Sequence, residues 1–361
     1  MLRARPGRPG GVPEPSERPG PAARPPSIVS QERADGGAAF MSNLDTRPEV
    51  VVCGGRREVP AEPVHEVLPG RTVPLGESTV VRRLLPTLGR RLVGAWCFLD
   101  HYGPDDITDR PGMQVAPHPH TGLQTVSWLL SGTVAHRDSL GHVQLLEPSQ
   151  LGLMTAGRGI AHSEQSPVPH PALLHGAQLW VALPGRYREV PPAFDHHPDL
   201  PVVTDRGLTA TVLLGTLAGA TSPGTTYSPL VGADLTLDPG ADVRLPLERD
   251  FEYAVLSASG AAAVDATELA PGALMYLGTD RAEVRLRTEG GARLLLLGGE
   301  PFDEQIVMWW NFVGRSGDEI AGYRERWNTG NGFGVVQGYQ GDRLIAPALP
   351  AAPLKPRGRT R

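Results

Sequence analysis

Short apolar runs separated by glycine and proline follow one another along most of the chain. Between Glu49 and Gly185 no stretch keeps an apolar spacing of 3.6 residues over three helical turns, and this favours strands over helices. The run RLVGAWCFLD at 91–100 is almost wholly apolar and is typical of a buried central strand. Strands spaced by about ten residues, with turn signals between them, predict an all-β fold of the sandwich or barrel type.

The same rhythm of strands and turns occurs twice. The segment YREVPPAFDHHPDLPVV at 187–203 is rich in proline and predicts an irregular crossing between two halves. A proline-centred turn precedes a strand in each half, as EPSQLGLM at 147–154 and as APGALMYL at 270–277. We therefore predict a duplicated β fold with one domain at 46–190 and a second at 191–345.

Both ends of the chain differ from this pattern. Residues 1–45 contain eight prolines and six glycines without apolar periodicity, so we expect a disordered extension and no secretory signal. We further expect that the natural product starts at Met41, just before MSNLDTRPEV. The tail 346–361 contains four prolines and several basic residues, and we expect it to be disordered as well.

One short helix is predicted near the C-terminus. Ser316 and Glu319 have the spacing of a capping box, in which each side chain satisfies a free backbone amide of the first turn. Ile320, Tyr323 and Trp327 then follow at helical intervals and form an apolar stripe. We interpret that stripe as a core-packing surface.

Composition narrows the class of protein. Hydrophobic residues make up 40% of the chain and charged residues 20%, with a formal net charge of -5, so nothing favours direct binding to nucleic acid. No apolar run approaches the roughly 18 residues that a membrane-spanning helix needs. The only cysteines, Cys53 and Cys97, are too few for a disulfide framework and fit a reducing compartment, so we expect a cytoplasmic protein.

Two close pairs of metal-type side chains stand out between 112 and 167. His118 and His120 form one pair, and His162 and Glu164 form the other. Residues i and i+2 of a strand point to the same face, so each pair directs both side chains one way. Three imidazoles and a carboxylate suit one divalent transition metal, with Fe(II), Mn, Ni, Cu and Zn all compatible, and leave two positions open on an octahedral ion.

Neighbouring residues extend this picture. Gln124 shares the parity of His118 and His120, so we expect it to point inward, either as a hydrogen-bond partner of the metal ligands or as a polar residue satisfied elsewhere in the barrel. Val126, Trp128 and Leu130 would continue that face, either as an apolar pocket wall or as plain core. No histidine follows His197, so a site with imidazole ligands is not expected in the second half.

These segments also resemble a known family. GMQVAPHPH fits the first cupin motif, and HPHTGLQTVSWLLSG, AHRDSLG and LMTAGRGIAHSE together resemble the pirin family, over about residues 60–340. The resemblance implies two cupin-type β-barrels, a bicupin. It also implies an iron ion held by His118, His120, His162 and Glu164. The family commonly has glutamate where this chain has Gln124, and a glutamine can orient a bound phenol or dioxygen but cannot take its proton.

The resemblance implies two functions of different classes. Some members are similar to quercetin 2,3-dioxygenases, so one hypothesis is a dioxygenase that acts on a flavonol-like aromatic substrate with dioxygen. The metal would act as a Lewis acid, and Trp128 with the apolar wall would hold the ring. The alternative is a non-enzymatic, iron-dependent redox sensor that binds a protein partner. A third hypothesis is a structural cupin whose quartet binds no useful metal.

Overall fold

The computed structural model describes residues 51–53, 64–68, 70–75 and 79–356. The extension predicted at 1–45 and the start predicted at Met41 lie outside these residues. Strands dominate the described part of the chain, which contains 26 of them and one helix. That helix has 12 residues and does not meet the length and apolarity that a membrane crossing requires.

Thirteen short strands make up the N-terminal part. In chain order they are β1 Val51–Cys53, β2 Glu66–Leu68, β3 Arg71–Leu75, β4 Thr79–Leu85, β5 Trp96–Asp106, β6 Gln114–His120, β7 Leu123–Ser131, β8 Val134–Asp138, β9 Val143–Leu146, β10 Leu151–Thr155, β11 Ile160–Gln165, β12 Leu173–Ala182 and β13 Ala193–His197.

The remaining strands and the helix follow. They are β14 Val202–Asp205, β15 Leu208–Leu217, β16 Ala220–Thr221, β17 Leu230–Leu237, β18 Asp242–Pro246, β19 Glu252–Ser259, β20 Ala262–Val264, β21 Thr267–Leu269, β22 Leu274–Gly278, β23 Glu283–Arg287, β24 Ala292–Gly299, β25 Ile306–Trp309, β26 Phe312–Gly314 and α1 Gly317–Asn328.

The two halves have the same topology. In the first half one sheet has the order β10-β7-β12-β5-β4-β3, extended by β13, and the other has the order β6-β11-β8-β9. In the second half the order β22-β19-β24-β17-β15-β14, extended by β2, is matched with β18-β23-β20-β21. The proline-centred turns at 147–154 and 270–277 lead into β10 and β22, which hold equivalent places. The prediction of an all-β fold with two similar halves and one short helix is confirmed.

The predicted domain boundary does not follow the edges of the sheets. Strand β2 lies in the first predicted domain, yet it pairs with β22 of the second half. Strand β13 begins after residue 190, yet it pairs with β10 of the first half. Each of these strands covers an edge of the other half's sheet, where unpaired backbone groups would otherwise be exposed. A local apolar pattern carries no information about such distant pairing.

The larger sheets of the two halves share one hydrophobic core. Val126, Leu153 and Leu179 of the first half belong to the same buried cluster as Leu256 and Leu297 of the second. Two tryptophans add hydrogen bonds across this interface. Trp128 Nε1 donates to Asp234 Oδ2 at 2.7 Å, and Trp96 Nε1 lies 3.1 Å from the carbonyl oxygen of Gly298. The halves are therefore joined by packing and by specific polar contacts.

The predicted helix is confirmed. Ser316 lies at its N-cap and its Oγ accepts a hydrogen bond from the Glu319 backbone amide at 3.2 Å. The stripe of Ile320, Tyr323 and Trp327 is buried against an aromatic cluster that includes Phe312 of β26. The Ser316 cap and the apolar stripe thus act as the sequence predicts. The Glu319 carboxylate accepts from the backbone amide of Arg315, one residue before the cap, so the reciprocal bond of a capping box is shifted.

The disorder predicted for 346–361 does not extend to residues 346–356. The Asn328 side-chain amide donates to the carbonyl oxygen of Ala346 at 3.0 Å, and Ala346 is buried. Leu349 and Leu354 pack against the same aromatic cluster as helix α1. The leucines between the prolines find an apolar surface that the sequence of the tail alone cannot reveal.

The hydrogen bond of Trp128 can be tested with a matched pair of variants. Trp128→Phe removes a bond to a buried carboxylate, whereas Trp309→Phe truncates an equally buried ring whose Nε1 has no hydrogen-bond partner among the described residues. We expect Trp128→Phe to lower the free energy of unfolding by about 1.5–3 kcal/mol more than Trp309→Phe, because the bond involves a charged group. Equal losses in denaturant titrations would contradict this.

Candidate metal centre

The pairing of β6 with β11 brings the predicted ligands together. His162 lies directly opposite His118, and Ile160 lies opposite His120, so the three imidazoles share one face. Their ligand nitrogens all lie within 4.8 Å of one another. The Nε2 atoms of His120 and His162 are 3.1 Å apart. Two nitrogens bound at about 2.1 Å to one ion and at right angles to each other would be about 3.0 Å apart.

The other ring nitrogens of His118 and His120 fix which tautomer is present. His118 Nδ1 lies 2.9 Å from the carbonyl oxygen of Ala116, and His120 Nδ1 lies 3.1 Å from that of Asn311. A carbonyl oxygen only accepts hydrogen bonds, so Nδ1 carries the proton in both rings. The lone pair of each Nε2 is therefore directed to the common centre, as a metal ligand requires.

The imidazoles are also in the neutral form that binds metals. All three rings are buried, and burial lowers the pKa of His118 to about 4. Burial likewise holds the pKa of His120 and of His162 well below the ordinary value, with further lowering from the neighbouring histidine His118. These side chains are therefore uncharged near neutral pH and have free lone pairs.

Glu164 lies next to this group on the same strand. The register of β11 against β6 shifts between His162 and Glu164, and the tight group within 4.8 Å comprises the three histidines without Glu164. Ser127 Oγ lies 3.2 Å from Glu164 Oε1, whereas Oε2 is buried without a hydrogen-bond partner among the described residues. Burial raises the pKa of this carboxyl to about 7.

The donor set fits a divalent transition metal. Three neutral imidazole nitrogens and one carboxylate are ligands that such ions accept. A buried oxygen without a partner is costly, and a bound cation would satisfy Glu164 Oε2. Among the described residues His118, His120 and His162 form a group that could hold such an ion, and Glu164 is the candidate for the fourth ligand.

The predicted pocket wall does not face this centre. Strands β6 and β7 belong to different sheets and are joined by a turn at Gly122, which has a φ of 67°. The alternation of side-chain directions along β6 does not continue through that turn into β7. Val126 and Trp128 therefore face the second half of the molecule. Ser127, which contacts Glu164, lies on the opposite face of β7.

Aromatic side chains line the metal-facing side instead. The ring of Trp180 lies 5.1 Å from that of His120, and Phe98 stacks on Trp180 at 4.1 Å. Both come from central strands of the seven-stranded sheet, β12 and β5. The sequence places them in buried strands but gives no indication that they accompany the ligands.

Gln124 makes its described contacts elsewhere. Its Nε2 donates to Thr155 Oγ1 at 3.0 Å and to the carbonyl oxygen of Thr225 at 3.1 Å. Its Oε1 is buried without a hydrogen-bond partner in the described part of the chain. Gln124 lies two positions before Val126 on β7 and shares its face, which is turned away from this centre. None of the hydrogen bonds described for Gln124 reaches the four ligands, so its role beside the metal stays a prediction.

Three contacts of the ligands come from residues that the sequence analysis did not single out. Ser127 touches Glu164, His136 lies behind His162, and the backbone of Asn311 holds His120. For His136 a signal exists, since the HRD of AHRDSLG has the same i, i+2 spacing as the ligand pairs. Asn311 gives no such signal, because it is 191 positions from its partner.

Two family models match the chain, one in each half. The family model named Pirin matches residues 78–181, and the model for the Pirin C-terminal cupin domain matches residues 232–334. A Pseudomonas aeruginosa protein named "Putative quercetin 2,3-dioxygenase" is 45% identical over 313 residues, which cover 86% of this chain and 98% of that protein. The chain belongs to the pirin family.

Other pirin relatives agree with this. A pirin-like protein of Caulobacter vibrioides is 38% identical over 69% of this chain and 88% of its own length. A crystal structure described as quercetin 2,3-dioxygenase from Acinetobacter baumannii superposes with a TM-score of 0.77 at 44% identity and covers 80% of this chain and 97% of that one. The predicted bicupin architecture of this pirin is confirmed.

The buried histidines of this pirin predict how stability changes with pH. Burial lowers the pKa of His101 and of His118 to about 4, so the unfolded chain takes up protons near pH 6.5 while the folded chain does not. Stability is then lost as the pH falls below 6.5, by roughly 2 kcal/mol per such histidine at pH 5. Glu164 has the opposite effect on stability, because its pKa is raised to about 7 and the folded protein therefore takes up this proton first as the pH falls. It is one group against the two histidines.

We therefore expect metal-free protein to be less stable at pH 5 than at pH 7. Urea titrations followed by tryptophan fluorescence at both pH values would measure this. A midpoint that stays constant or rises as the pH falls would contradict the prediction.

Proposed function

We propose that this chain is a metal-dependent dioxygenase of the quercetin 2,3-dioxygenase type. Its substrate would be a flavonol or a related aromatic compound, with dioxygen as the second substrate. One divalent transition metal, with Fe(II) as the first candidate, would be held by His118, His120, His162 and Glu164. The observation that carries the proposal is the convergence of three buried, neutral imidazoles beside a buried carboxylate.

The relatives support the choice of reaction. The Pseudomonas aeruginosa protein and the Acinetobacter baumannii structure, at 45% and 44% identity, are both named for this activity. Each is matched over nearly its whole length, so the similarity includes both halves of the chain rather than one cupin module. The reducing compartment inferred from the scarcity of cysteine makes the cytoplasm the expected location.

The side chains around the centre suit a flat aromatic substrate. A bound divalent metal supplies a Lewis acid for a substrate oxygen. Trp180 and Phe98 stack on each other next to His120 and give this side of the centre an aromatic lining, which suits contact with an aromatic compound. Glu164 Oε2 lacks a described partner, so it can accept the proton of an incoming hydroxyl when it is not bound to the metal.

Gln124 is not needed for that proton step. Its amide nitrogen is occupied by Thr155 and Thr225, which leaves Oε1 as its available acceptor. An amide cannot take the proton of a phenol, whereas the carboxylate of Glu164 can. In this proposal Glu164 supplies the acid-base chemistry, and any role of Gln124 is restricted to orientation.

Oxygen consumption tests the proposal. We expect purified, iron-loaded protein to consume dioxygen in an oxygen electrode when quercetin is added. His162→Ala removes one of three clustered nitrogens and is expected to abolish that consumption. His196→Ala is the control, because His196 bonds Gln150 and takes no part in the centre. Equal rates for the wild type and His162→Ala would refute the enzyme assignment.

A second candidate function is a metal-dependent regulator that binds a protein partner. Two observations favour it. The four candidate ligands are each at most 1% exposed, and His120 contacts the backbone of Asn311, in the turn between β25 and β26. A change in the oxidation state of the metal would then be transmitted through His120 to this turn and to the neighbouring helix α1.

Hydrogen exchange distinguishes the second candidate. If the site is a redox sensor, backbone amides of residues 306–316 should exchange at different rates in the Fe(II) and Fe(III) forms. Residues of β17 in the second half serve as an internal reference. Identical exchange at 306–316 in both forms would rule out transmission by this route.

A further inference from the structure

A cluster of polar side chains lies directly behind His162, on the side away from His118. It consists of His136, Asp138 and His142, which come from strand β8 and the turn into β9. Strand β8 pairs with β11 so that His136 lies opposite Glu164 and Asp138 lies opposite His162. Opposed residues of antiparallel strands share a face, so the cluster and the ligands face the same interior.

The side chains form a continuous chain from the ligand to the surface. His162 Nδ1 lies 3.5 Å from His136 Nδ1, which is long for a hydrogen bond. His136 Nε2 lies 3.2 Å from Asp138 Oδ2, and His142 Nδ1 lies 2.8 Å from the same oxygen. The first three members are buried, whereas the side chain of His142 is 44% exposed.

The carboxylate of Asp138 determines the proton positions in this chain. Burial alone would raise its pKa, but hydrogen bonds from His136 and from the backbone and ring of His142 outweigh burial and lower it, so the group is ionised. An ionised carboxylate only accepts hydrogen bonds, so His136 Nε2 carries a proton. A neutral imidazole that is protonated on Nε2 has its lone pair on Nδ1, the nitrogen that faces His162.

One tautomer of His162 is compatible with that lone pair. When a metal takes the lone pair of His162 Nε2, the proton of the neutral ring is on Nδ1, which can donate to His136 Nδ1. His162 Nε2 is the nitrogen that lies 3.1 Å from His120 Nε2 in the metal group. The opposite assignment would direct two lone pairs at each other behind the ligand.

The chain is also held in a fixed orientation. The ring of His136 stacks on Phe194 with centroids 4.0 Å apart and planes 8° apart, so it cannot turn freely. Asp138 Oδ1 accepts hydrogen bonds from the backbone amides of Leu140 and His142, at 2.9 and 3.1 Å. The hairpin backbone thus positions the carboxylate, and the carboxylate positions the imidazole.

We infer that His136 and Asp138 are positioning residues that set the tautomer and the ring orientation of His162 for metal binding. The three metal-binding histidines then differ in how they are held. Backbone carbonyls orient His118 and His120, whereas a carboxylate acting through a second imidazole orients His162. The inference rests on the metal site of the proposed function, although it does not depend on which reaction the site performs.

Metal affinity tests this inference without an activity assay. Metal-free full-length protein is titrated with Co²⁺, with the visible spectrum and competition with a chelator as readouts. His136→Phe keeps an aromatic ring against Phe194 but cannot accept a proton from His162. We expect it to bind Co²⁺ about 10–100-fold more weakly, the usual cost of losing the partner that orients a ligand, and to shift the Co²⁺ absorption bands.

A conservative substitution at the same position should restore the affinity for Co²⁺. In His136→Gln the side-chain carbonyl can accept from His162 and the amide can donate to Asp138, so we expect most of the affinity to return. Asp138→Asn weakens the far end of the chain and is expected to lower the affinity as well. If Asp138→Asn does not fold, because Asp138 also holds the hairpin, the comparison of His136→Phe with His136→Gln decides the question.

His175→Phe is the matched control. His175 is also buried and also pairs with another histidine, His101, at 2.9 Å, but neither belongs to the metal group. We expect it to keep the affinity and spectrum of the wild type. If wild-type protein binds Co²⁺ and His136→Phe binds it equally well, or if His175→Phe loses as much affinity, the inference is wrong while the metal site stands. If the wild type binds no Co²⁺, the metal site itself fails.

Discussion

The antiparallel pairing of β6 with β11 is the constraint on which the candidate centre depends. It places His162 opposite His118, and the alternation of side chains along β6 adds His120 to the same face. A shift of one residue in this pairing would turn the imidazoles of one strand to the outside of the sheet. The register is fixed on both sides of β11, because β8 pairs with its other edge and aligns His136 and Asp138 with the ligands.

The second half has the same arrangement of strands, but the equivalent interior positions are apolar. Strands β18 and β23 hold the places of β6 and β11, and they place Val243, Leu245, Val284 and Leu286 in a buried apolar core. In the first half the corresponding interior contains imidazoles and a carboxylate, which are costly to bury unless each finds a partner. Backbone carbonyls, Ser127 and the chain through Asp138 supply those partners. Burial of the four candidate ligands thus requires much of the polar network around them.

The sequence predicts those features that depend on local spacing. Alternation in a strand is enough to identify the pairs 118/120 and 162/164, and a cap followed by an apolar stripe is enough to predict helix α1. The prediction for the pocket wall was wrong because it continued that alternation through the turn at Gly122 into a different sheet. The exchange of β2 and the packing of residues 346–356 depend on contacts with distant segments, and a local pattern does not contain them.

The contact between His120 and Asn311 has a consequence for how the protein is made. Synthesis of β6 and β11 ends long before residue 311 leaves the ribosome, so the nascent first half contains all four candidate ligands but not the carbonyl that orients one of them. Strand β2 likewise waits for β22 before it can pair. The candidate centre is therefore completed by the last third of the chain, and a gene fragment that encodes only the first cupin half would specify the four candidate ligands without the complete site.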